Sequence, residues 1–79
     1  MFKSTEAAAA YHAQMTAIRE ANESADTILL ALDHGWMLTE TQVEVLEDFT
    51  RLVEARGREY CVGRLGANYD RACAALSAA

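Results

Sequence analysis

Proline is absent from all 79 residues. That removes the strongest helix breaker and argues for an all-α chain with few long loops. Cys61 and Cys73 are the only cysteines. A secreted disulfide scaffold of this size would carry more, so two free thiols in a cytoplasmic protein are expected. No apolar run approaches the roughly 20 residues needed to cross a bilayer. The N-terminal alanines lack the basic, strongly apolar pattern of a signal peptide. His12, His34, Cys61 and Cys73 show no metal-ligand spacing, so no cofactor or metal is expected. Gly63-Arg64-Leu65-Gly66 lacks the spacing and the lysine of a phosphate loop, and no nucleophile elbow or Ser–His–Asp order is present. The expectation is a protein that is not an enzyme.

What the chain does contain is alanine and a long apolar stripe. Ala8, Tyr11, Met15, Ile18, Asn22, Ala25, Leu29 and Leu32 recur at alternating intervals of three and four, which places them on one side of a helix. Ser4 or Thr5 can cap its start, Glu6 suits the positive end of its dipole, and Gly35 can end it in the left-handed conformation. A helix over about 5–34 is predicted. Asn22 falls at an a position of the heptad, where a buried amide penalises any register that leaves it unpaired. A short chain hides little of its own surface. Tyr11, Met15, Ile18, Asn22, Ala25, Leu29 and Leu32 are therefore expected to form the seam of a homodimer. The alternative seam, Ala21, Ala25 and Ile28, would leave Asn22 outward.

Thr39-Glu40-Thr41-Gln42 reads as a capping box, with Leu38 and Val43 at the spacing of a hydrophobic staple. A turn over 35–39 and a second helix over about 40–62 follow. So short a connection predicts an antiparallel helical hairpin. Val43, Leu46, Phe49, Val53 and Tyr60 supply the second helix's apolar stripe. Gly57, Gly63 and Gly66 crowd the end of that helix. They predict a break and a short third helix over about 68–77 capped by Asn68, against the alternative of one helix running on to the C-terminus. Two such hairpins could pair into a helical bundle.

Net charge is −5, but it is unevenly placed. Between Glu20 and Glu54 nine acids face Arg51 alone, leaving −8. From Ala55 onward Arg56, Arg58, Arg64 and Arg71 outnumber Glu59 and Asp70, leaving +2. The acidic body repels phosphate and is suited to a basic groove on another protein, or simply keeps the chain soluble. Glu40, Glu44, Glu47 and Asp48 read first as a solvated face rather than as acid–base catalysts. Trp36, Met37 and Leu38 are costly to expose in a tight turn. They either plug the open end of the hairpin or anchor a partner. Trp36, Met37, Glu40, Glu44, Glu47 and Asp48 form the expected partner-binding set.

These features predict a small acidic interaction protein, a homodimeric inhibitor or adaptor of a larger protein. Its composition is of the kind found in phage or mobile-element inhibitors, antitoxins and chaperones, which is analogy only. The competing expectation is a dimeric nucleic-acid regulator using the C-terminal arginines. A third is a subunit without activity of its own.

Overall fold

The computed structural model describes residues 5–78. Three α-helices follow one another: α1 over Thr5–Asp33, α2 over Glu40–Arg56 and α3 over Gly63–Ala78, with a 3-10 turn at Arg58–Tyr60 between the last two. No strand occurs among the described residues, so the chain is all-α. Ser4, the alternative N-cap of α1, lies outside them.

The hairpin is built by two local signals. At the end of α1 the Trp36 amide donates to Ala31 O at 3.1 Å and the Gly35 amide to Leu32 O at 2.9 Å. Gly35 itself is left-handed, with φ of +84°. This is the Schellman closure expected of a glycine at C′. At the start of α2 the Gln42 amide donates to Thr39 Oγ1 at 3.2 Å, and the Thr39 amide donates to Gln42 Oε1 at 2.9 Å. Two orphan donors of the first turn are thus satisfied reciprocally.

The break comes earlier than a helix over 40–62 allows. At Gly57, φ is +109°, a backbone conformation that L side chains rarely adopt, and α2 ends there. The third helix starts at Gly63 rather than at 68, and Asn68 lies inside it rather than at its cap. Close packing explains why Gly66 is tolerated in the first turn of α3. A Cβ there would sit 2.5 Å from Cys61 O and 3.1 Å from an Arg58 nitrogen.

Contacts fix the direction of α3. Arg64 and Asn68 reach Asp26 and Asn22, Arg71 reaches Leu29 and Asp33, and Ala75 and Ala78 lie near Leu32. Thus α3 runs parallel to α1 and antiparallel to α2, completing an up-down-up bundle in which every pair of helices touches. The core joins Ala25 and Ile28 of α1, Leu46, Phe49 and Val53 of α2, Cys61 of the connection and Ala72 of α3. Each large apolar side chain so buried contributes about 1.5–3 kcal/mol. Both cysteines are free thiols, Cys61 buried and Cys73 half-buried.

The 29 residues of α1 span about 44 Å and the 17 of α2 about 25 Å at 1.5 Å per residue. The first buried residue of α1 is Ile18. Thr5–Ala17 therefore projects past the body of the bundle, and the molecule measures 47 × 22 × 17 Å. Arg56, at the end of α2, reaches back to lie 5.3 Å from the Tyr11 ring centre and 4.7 Å from that of Tyr60.

Candidate protein-binding site at the open end of the bundle

The predicted dimer seam is divided by the fold. Ile18, Ala25 and Leu29 are buried within the protomer, so they cannot face a second copy. Asn22 does find an amide partner, but within its own chain. Asn68 Nδ2 donates to Asn22 Oδ1 at 2.9 Å and approaches Asp26 Oδ1 at 3.5 Å. Asn68 is 3% exposed, and no buried side-chain nitrogen or oxygen among the described residues lacks a partner. A third helix docked against α1 thus takes the place assigned to a second protomer. Tyr11 and Met15 stay half-buried on the projecting part, while Leu32 turns to the other end of the molecule.

The acids and bases meet in pairs. Arg64 Nη2 lies 2.7 Å from Asp26 Oδ2, Arg71 Nη2 2.7 Å from Asp33 Oδ1, and Arg58 Nη2 2.9 Å from Asp70 Oδ2. Arg58 Nε also donates to Asp70 Oδ1 at 3.3 Å. This two-pronged contact holds the Asp70 carboxyl below its ordinary range and pushes the Arg58 guanidinium up. Three of the four arginines expected to make the tail basic are matched by carboxylates, and Arg56 lies against tyrosines. The tail presents no run of unmatched positive charge.

Between the two caps of the hairpin the chain has no helix of its own, and Trp36 and Met37 emerge there. Trp36 is 65% exposed and Met37 91%. They do not plug the hairpin; they flank it. Among the described residues the other large exposed apolar side chains, Leu30, Tyr60 and Val62, lie elsewhere along the chain. Trp36 and Met37 share a cleft of about 610 Å³ with Leu32, Leu38, Val43, Ala75 and Ala78. Its floor is contributed by all three helices: the end of α1, the start of α2 and the end of α3. The staple residues Leu38 and Val43 are half-buried in its wall. The His34 ring stands 6.0 Å from that of Trp36, tilted by 39°.

A second cleft adjoins the first, lined by Leu38, Glu40, Val43, Glu44 and Glu47. Leu38 and Val43 belong to both, so the two form one trough, apolar at one end and acidic along its side. Asp48 separates from this set. Its Oδ1 pairs with Arg51 Nη1 at 2.7 Å, and both belong to a different cleft with Leu52 and Ala55. Of the expected partner-binding residues the fold therefore gathers Trp36, Met37, Glu40, Glu44 and Glu47, and excludes Asp48. It adds Leu32, Ala75 and Ala78. Their helix positions are readable from sequence, but their meeting depends on how α3 docks.

Among the described residues no group of three His, Cys, Asp or Glu side chains could hold a metal ion. No helix there is long and apolar enough to cross a membrane. Comparison with family models, curated proteins and solved structures gives no match.

Proposed function

We propose that the protein is a non-enzymatic interaction module that binds a larger protein through the Trp36–Met37 end of its bundle and so inhibits or bridges it. One observation carries this reading: a tryptophan and a methionine, adjacent and largely exposed, border an apolar cleft of about 610 Å³. Contiguous apolar surface on a small protein marks interaction sites, and Trp and Met are enriched in interface cores. The caps on either side order the backbone of this segment, so binding costs little further ordering entropy.

Self-association is the second part of the proposal. Thr5–Ala17 carries a half-covered stripe of Ala8, Tyr11 and Met15, touched by α2 through Arg56 against Tyr11, at the end of the molecule opposite the cleft. A second copy seated there would leave both clefts open, giving a dimeric inhibitor or adaptor.

Affinity capture from the native cell with wild type, Trp36→Ala and Met37→Asp, helicity being checked by circular dichroism, tests the first part. A partner retained by wild type and lost from both folded variants is the expected result. Identical captured sets for all three proteins would overturn it.

A further inference from the structure

Resting on that reading, we propose that the trough receives an amphipathic helix of the partner, its apolar side in the cleft and its lysines or arginines against Glu40, Glu44 and Glu47. The three acids recur at intervals of four and three, forming one stripe about 10 Å long on α2. All three are exposed, and none has an ion-pair partner among the described residues. Asp26, Asp33, Asp48 and Asp70 each hold an arginine, whereas Glu20 and Glu23, exposed on α1, line neither cleft of the trough. A continuous stripe of unmatched negative charge therefore runs beside the apolar cleft.

The other occupants fit less well. A second copy would bring two sets of glutamates face to face. An anionic lipid surface or a phosphate backbone is repelled by the same three charges. Strand addition needs an exposed sheet edge, and every wall of this trough is helix or capped turn. The row of glutamates three and four apart matches the side-chain spacing of a helix, which favours the helix-in-groove mode of recognition. Basic residues three and four apart on the incoming helix face the glutamates, and the apolar residues of its adjoining face reach the floor of Leu32, Val43 and Ala75.

Trp36 is the only tryptophan, so its emission reports the cleft directly. The probes are two tryptophan-free helical peptides of about fourteen residues, one of leucine and lysine, the other with the same leucine face and glutamate in place of lysine. The leucine–lysine peptide should shift Trp36 emission to the blue in a saturable way, less so in high salt. Glu44→Gln with Glu47→Gln should weaken it about tenfold. Glu20→Gln with Glu23→Gln, which removes the same charge from exposed positions on α1, should leave affinity within about twofold. Equal binding of the leucine–glutamate peptide, no shift with either peptide, or equal weakening by the two pairs would each overturn the proposal. A native partner still lost on Trp36→Ala would then mean that the module binds through this end but does not take a basic helix.

Discussion

Asn22 and Asn68 stand 46 residues apart in sequence and meet as an amide pair where α3 crosses α1. Removing one partner from such a pair leaves the other to bear its desolvation, about 1–3 kcal/mol. Asn68→Ala should cost that much in urea unfolding. Asn68→Asp should cost more at neutral pH, because the new carboxylate lies beside Asp26. Asn22 can flip its amide to donate, but the like charges stay. Burial and repulsion raise the new group's pKa in the fold, so stability is lost as pH rises and should recover near pH 4, about the unfolded value. Equal losses for the two variants at both pH values would mean that the pair is not desolvated. That Asn22 needs an amide partner was legible in its heptad position. Which amide was not, since a stripe records that a helix is covered but not by which chain. Asn68 misled for a related reason: asparagine favours helix caps, and only docking of α3 gives this one a partner in a helix interior.

Tyr69 offers a second test at the same scale. Its hydroxyl donates to Glu54 Oε2 at 2.9 Å. The Cys73 side chain and then the Glu54 carboxylate favour the neutral phenol, and its pKa is pushed well above the ordinary value. A folded-state pKa raised in this way gives stability that is complete below about pH 10, the unfolded phenol value, and lost as pH rises beyond it. Urea midpoints should fall more steeply above about pH 10 in wild type than in Tyr69→Phe. Parallel curves would contradict the link.

At the scale of elements, the local signals are the reliable ones because they act over three or four residues. The capping box at Thr39 and the glycine closure at Gly35 form as their residue types dictate. Thr39→Ala removes the acceptor of the Gln42 amide and should cost about 1 kcal/mol, a fall of about 4–8 °C in melting temperature for a domain of this size. Thr39→Ser, which keeps the oxygen, should lose much less, and a thermal melt separates the two. The same cap holds Trp36 and Met37 in place, so Thr39→Ala should also loosen the proposed site. By contrast, the boundaries near Gly57, Gly63 and Gly66 were legible only as a disturbance. Whether glycines end a helix or allow a close crossing depends on what lies opposite. Here Gly57 ends one, whereas Gly66 admits the Cys61 carbonyl. The first turn of α3 is a poor helix former by composition, and its Arg64–Asp26 contact to α1 is visible only once the helices are assembled.

For the whole molecule, the length of α1 against α2 sets the distribution of stability. An isolated helix of about 12–15 residues is marginal in water even when rich in alanine, and most helical stability comes from packing. Thr5–Ala17 buries nothing fully, whereas residues 18–33 share the core. Amide hydrogens of the projecting half should therefore exchange faster than those of the packed half in dilute protein. If the projecting halves pair between copies, protection at Ala8–Ala17 should rise with protein concentration while that at Ala25–Asp33 stays constant, and light scattering should report twice the chain mass. A single chain mass up to millimolar concentration, with exchange independent of concentration, would remove the dimer. It would leave the binding end untouched, because Trp36 and Met37 stand at the opposite pole, beyond roughly 18 residues of α1. Such a result would recast the 47 Å rod as a monomer whose cleft and N-terminal arm act separately.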